Sequence, residues 1–140
     1  MDSIGRLSVR LRVKRDKAGN GALSHPEHVV ADVMGVATEV MNGGLHQFFF
    51  NKAGDRAAES VSALREIGAA AAAAILAQAC SRFPSGAADP DRSARQRQLE
   101  ALPFETFRDL DQRFGKHTDK IATLLAAYWR KHVVPTPRRR

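Results

Sequence analysis

From Ser24 onward, apolar positions recur every three or four residues. Val29, Val33, Val36 and Val40 form one row, and Val30, Met34, Ala37 and Met41 form the row beside it. His28, Asp32, Gly35, Glu39 and Asn42 make a polar stripe opposite. This is the 3.6-residue period of an amphipathic helix with one buried face. Ser24-His25-Pro26-Glu27 marks its start. The Ser24 hydroxyl can accept from the Glu27 N–H, the Glu27 carboxylate can reach back, and Pro26 falls in the first turn, where a missing N–H costs little. Gly43-Gly44 ends the helix, with Asn42 suited to its last turn, and a short helix from Leu45 to about Asn51 follows.

The same period continues downstream. Asp55 is placed to N-cap a helix burying Ala57, Val61, Leu64 and Ile67. Gly68 bends the chain before a segment from Ala69 to Phe83, whose Ile75, Leu76, Ala79, Cys80 and Phe83 share a face. Its run of six alanines favours helix and close helix approach. Pro84 and the loop Ser85–Asp91 interrupt the pattern. A polar helix from near Asp91 to Leu102 follows, broken by Pro103. Phe107, Leu110 and Phe114 mark the next helix, and Ile121, Leu124, Leu125, Tyr128 and Trp129 the last, from about Thr118. Only residues 7–13 differ: Leu7, Val9, Leu11 and Val13 alternate with Ser8, Arg10 and Arg12, the period of a half-exposed strand. A lone strand has no partner here, so the segment is expected to be an arm without order of its own. The expected architecture is all-α: a compact bundle of about six or seven helices over residues 24–132, a basic arm and linker over 1–23, and a basic tail over 133–140.

Charge changes this picture at the ends. The net charge is +7, but residues 1–20 carry six basic and two acidic side chains, and residues 129–140 carry five basic and none acidic. Residues 21–128 carry eleven basic and thirteen acidic, a balance of −2. Basic ends attract any polyanion in a salt-sensitive, sequence-independent way, and Arg6, Arg10, Arg12, Lys14, Arg138, Arg139 and Arg140 are the expected electrostatic arms. One cysteine, Cys80, rules out an internal disulfide and points to a reducing compartment. No apolar run approaches the roughly 20 residues of a bilayer span, and no apolar core of a signal peptide is visible. A cytoplasmic protein without membrane contact is expected.

Catalytic and metal-binding patterns find little support. His25 and His28 stand three apart at a helix start, without the spacing of a zinc site. Cys80 lies on an apolar helix face and is read as a small hydrophobe. No serine occupies a nucleophile elbow, and Asn42-Gly43-Gly44 lacks the lysine and preceding strand of a phosphate loop. The carboxylate pairs Asp89/Asp91 and Asp109/Asp111 read as loop and surface features. No enzyme, cofactor or metal is expected. The informative stretch is Glu39 to Asp55. Gln47 and Asn51 share a helix face, and a Gly-Gly turn can bring Glu39 and Asn42 toward them, with Asp55 beyond. Either this constellation binds something, or it holds the chain reversal in shape; the second is the more economical reading. In that case Glu39→Ala or Asn51→Ala costs on the order of 1–3 kcal/mol. Leu45, Phe48 and Phe49 explain themselves as core anchors. Phe50 cannot share their direction, and with His46 it is the candidate partner contact.

The pattern E-x-x-N-G-G-x-x-Q-x-F-x-N-x-x-G-D comprises Glu39, Asn42, Gly43, Gly44, Gln47, Phe48, Asn51, Gly54 and Asp55. With Ala63, Leu64, Ile67, Gly68 and Ala69, the run Leu110–Phe114 and the Tyr128 helix, it resembles the small all-helical domain family typified by a bacterial DNA-mimic protein, over roughly residues 24–132. The resemblance implies an all-helical, non-enzymatic domain and admits a homodimer. The family's naming activity, in which acidic side chains stand in for phosphates, needs dense negative charge, which a body balance of −2 does not supply. The expected function is therefore a protein-interaction module that binds and modulates a protein partner, as a regulator, inhibitor or immunity-type protein. The alternatives are nucleic-acid binding through the basic ends and, less favoured by the charge, DNA mimicry against a DNA-binding protein.

Overall fold

The computed structural model describes residues 3–132, and the expected tail over 133–140 lies outside them. Seven α-helices and two short 3₁₀ turns follow one another, with no strand among the described residues. The capping box at Ser24 forms as expected: the Glu27 N–H donates to Ser24 Oγ (3.3 Å) and the Ser24 N–H to Glu27 Oε1 (2.9 Å). It opens the central helix, α2 (His25–Phe50), which kinks at Gly44, where φ is 81° and ψ −179°. The kink separates the valine-rich half from the short Leu45–Phe50 half, so the Gly-Gly break and the short helix after it stand where the pattern put them. An L side chain at Gly44 would suffer that φ, and its Cβ would sit 2.8 Å from Asp111 Oδ2.

Around α2 pack α1 (Ser3–Ala18), α3 (Ala57–Glu66), α5 (Arg92–Glu100), α6 (Arg108–Gly115) and α7 (Thr118–His132), while α4 (Ala70–Ser81) packs on α3 and α6. Val30, Val33, Val36, Leu45, Phe48 and Phe49 of α2 are fully enclosed. Phe49 centres an aromatic cluster, 4.8 Å from Phe83, 5.2 Å from Phe48 and 5.3 Å from Phe107 between ring centroids. Each buried aromatic or large aliphatic side chain contributes about 1.5–3 kcal/mol of transfer free energy, and this core supplies the driving force for folding. Small Ala72, Ala73 and Ala79 line the buried face of α4, and Gly68, at φ 94°, breaks α3 from α4. Cys80 is half-buried, and burial pushes its thiol up to about 11, in keeping with a packing role.

Two expectations are corrected. Residues 3–18 form neither a strand nor an unordered arm but helix α1, laid against α2. The decisive spacing is Ile4, Leu7, Ser8 and Leu11 at intervals of three and four. Leu11 and Ser8 are buried, Ile4 and Leu7 pack against the core, and Val9 and Val13 are left 51% and 46% exposed. Half of the apparent strand alternation therefore faces solvent. Gly19, at φ 92°, ends α1 by donating to the Arg15 carbonyl (2.8 Å). The second correction concerns Asp55. It lies inside the 3₁₀ turn Lys52–Arg56, and α3 begins without a side-chain cap. Its carboxylate is engaged elsewhere.

Candidate functional site

The kink at Gly44 turns the last six residues of α2 back along its polar stripe. Glu39 lies before the kink, Gln47 and Asn51 after it, and the three side chains meet. Glu39 Oε1 accepts from Gln47 Nε2 at 2.7 Å and from Asn51 Nδ2 at 3.1 Å. Gly43 faces this junction, and a Cβ there would overlap the Gln47 carboxamide. Asn42 is exposed and stands apart from the network. The first N–H after the kink, that of Leu45, donates to Asp111 Oδ1 at 2.7 Å. Asp111 thus acts as an N-cap delivered from α6, 66 residues away in sequence. Partial burial raises its carboxyl above the ordinary value, and the Leu45 N–H offsets part of that shift.

The keystone of the motif is a residue that sequence reasoning passed over. Arg95 on α5 is 0% exposed, and its guanidinium donates to the carbonyls of Phe49, Asn51 (2.9 Å), Asp89 (2.9 Å) and Pro90 (3.2 Å) and to Asp55 Oδ1 (2.9 Å). Two of these carbonyls belong to the C-terminal end of α2, where a cation complements the helix dipole. Gly54 makes room for it: a Cβ there would meet the Phe48 carbonyl at 2.7 Å and Arg95 Nε at 2.8 Å. The available signal was positional. Arg95 sits four residues before buried Leu99 and seven before half-buried Leu102, so it occupies the inward row of a helix otherwise read as polar.

Beside this motif lies a groove of about 640 Å³. Arg12, Arg15 and Asp16 of α1 line one side, Thr38 and Glu39 of α2 the floor, and Asn51, Lys52, Asp55, Arg56, Glu59 and Arg92 the other side. Under it Asp32, 5% exposed, is held by Arg15 Nη1 (3.0 Å) and Arg56 Nε (2.8 Å). Arg15 also donates to His28 Nδ1 (2.9 Å), and His28 Nε2 donates to the Asn20 carbonyl (2.8 Å). That pairing sets the neutral His28 tautomer with its proton on Nε2. His25 instead pairs with Glu66 Oε1 (2.7 Å), whose other oxygen accepts from Tyr128 Oη (2.6 Å). The two histidines three apart therefore serve different clasps, and no metal-binding cluster occurs among the described residues.

Apart from Arg12, the remaining described candidates lie outside the groove. His46 and Phe50, one turn apart, are both exposed and stack with ring centroids 6.4 Å apart at 14°. Arg6, Arg10 and Lys14 are on the exposed side of α1, whereas Arg12 turns inward; Arg138 to Arg140 fall outside the described residues. No helix is long and apolar enough to cross a membrane.

Neither curated proteins nor solved structures yielded a match. The family model described as DMP19-like protein matches residues 21–132, which contain the kinked helix, the Arg95 keystone and every later helix, and leave α1 outside. The chain belongs to the DMP19-like protein family.

Proposed function

We propose that the chain is a non-enzymatic interaction module that binds and modulates a protein partner. The observation carrying this reading is the contrast between the polar motif and the surface beside it. Glu39, Gln47, Asn51 and Asp55 are committed to one another and to Arg95, which makes them the scaffold of the chain reversal. His46 and Phe50, on the outer side of the same short helix, present a stacked pair of rings to solvent, the kind of aromatic anchor that protein interfaces favour. A general base at Glu39 or Asp55 would need a carboxylate free of such donors, which weighs against an enzymatic reading.

The acids also argue against DNA mimicry. Asp32, Glu39, Asp55, Glu66, Asp109 and Asp111 each accept from a neighbouring donor, which ties up these six carboxylates within the fold and thins any phosphate-like array that a basic partner would read. Affinity capture from the native cell extract at high and low salt tests the proposal. Deleting residues 1–20 would strip buried Leu11 and the Arg15–Asp32 pair from the fold, so the bait for testing the basic residues carries Arg6→Gln, Arg10→Gln and Lys14→Gln and lacks residues 133–140. Capture of a defined protein at high salt by this bait, and its loss from His46→Ala/Phe50→Ala, is the expected result. Recovery of nucleic acid alone, at low salt and only with the basic residues intact, would overturn it in favour of nucleic-acid binding.

A further inference from the structure

The groove between α1 and the family motif contains an imbalance in how its charges are matched. Three of its acids are held within the protein, Asp55 by Arg95, Glu39 by two amides, and Asp32 beneath it by two arginines, while Asp16 stands 3.8 Å from Lys52 and Glu59 is exposed. Two of its cations are not held in this way. Arg12 makes a single long bond to the Ser8 hydroxyl (3.4 Å), and Arg92 touches only the Phe50 carbonyl (3.3 Å) and Asn51 Oδ1 (3.5 Å). Neither has a carboxylate within salt-bridge distance among the described residues. They come from α1 and α5, so two guanidiniums with unused donors face one polar groove from different walls. Burial, and then neighbouring Arg15, pushes the Arg12 guanidinium below its ordinary value, and Glu39, Asp16 and Asp32 offset only part of that shift.

We propose that this groove takes a carboxylate-rich segment of the partner protein, gripped by Arg12 and Arg92. Guanidinium forks match carboxylates bidentately, and such bonds are about twice as strong as neutral ones. The lining favours a peptide over an apolar small molecule, whose sites are mainly hydrophobic. One wall belongs to α1, which lies outside the span 21–132 matched by the family. The proposal rests on the interaction-module reading and names the chemistry of its partner.

The test is fluorescence anisotropy of a labelled octaglutamate peptide against the full chain in about 50 mM salt, where screening is weak. Arg12→Glu and Arg92→Glu are each expected to raise Kd about tenfold or more, the equivalent of one lost charge-assisted bond. Lys14→Glu makes the same change in net charge on the outer side of α1 and is expected to stay within about twofold. An equal effect of Lys14→Glu would reduce the binding to overall charge and overturn the proposal, as would the absence of saturable binding. Exposed Arg92 keeps the test decisive even where Arg12→Glu disturbs the packing of α1. A labelled oligothymidylate titrated in parallel would redirect the site to nucleic acid if it bound more tightly and lost affinity in the same two variants. A captured partner that depends on His46 and Phe50 but not on Arg12 and Arg92 would refute the groove while leaving the interaction module standing.

Discussion

Arg95→Ala is the sharpest perturbation of this fold. The substitution removes five donated bonds at once and leaves Asp55, partly open to water, without its counter-ion. Breaking a buried charge pair by deleting one member costs about 3–5 kcal/mol. The Asp55 side chain is 32% exposed and can recover some hydration, which lowers that figure. The orphaned Phe49 carbonyl sits in the buried end of α2 and adds about 1 kcal/mol or more. A net loss of about 3–4 kcal/mol follows, a large share of the roughly 5–15 kcal/mol that holds a domain together. At this chain length it corresponds to a fall in Tm on the order of 10–15 °C. Urea and thermal unfolding followed by far-UV circular dichroism measure it. Arg95→Lys keeps the charge but not the fork and is expected to fall between the two. The cycle Arg95→Ala, Asp55→Ala and the double variant then separates the ion pair from the carbonyl bonds. A Tm for Arg95→Ala within about 3 °C of the parent would refute the keystone argument.

Four further outcomes follow from the same geometry. Gly44→Ala is expected to lose about 1–3 kcal/mol in urea unfolding, because φ 81° and a Cβ 2.8 Å from Asp111 both oppose it. Glu39→Ala, which frees two amides from their shared acceptor, is expected to lose a similar 1–3 kcal/mol, and unchanged stability would contradict a scaffolding role. The Tyr128 and His25 bonds hold Glu66 below its ordinary value, so its contribution is present above the unfolded pKa and is lost as pH falls through the lower folded one; Tyr128→Phe should therefore flatten the acid limb of the stability–pH curve below about pH 4.5. Asp111 runs the other way: its raised value makes the charged form costly as pH rises, so Asp111→Asn, which keeps an acceptor for Leu45, should be neutral or stabilising at pH 7, whereas Asp111→Ala loses the cap and about 1 kcal/mol.

The amino-acid sequence determined what near neighbours decide. The Ser24 capping box, the valine rows of α2, the glycine break and the inward turn of Phe48 and Phe49 all depend on residues within a few positions, where helix hydrogen bonds and side-chain periodicity act. Of the candidate site, the meeting of Glu39, Gln47 and Asn51 across the break was legible for the same reason. Only the tertiary structure decided the rest. Residues 7–13 satisfy a strand period and a helix period at once, and the surface offered by α2 selects the helix that buries Leu11 and Ser8. Asp55 reads locally as a cap, yet its partner is Arg95, 40 residues on. Arg95 itself looks like one more surface charge in a polar helix, because four of its five acceptors are backbone carbonyls, which carry no side-chain signature. The groove required the same long-range assembly, since Arg12 and Arg92 come together only when α1 and α5 are both docked on the central helix.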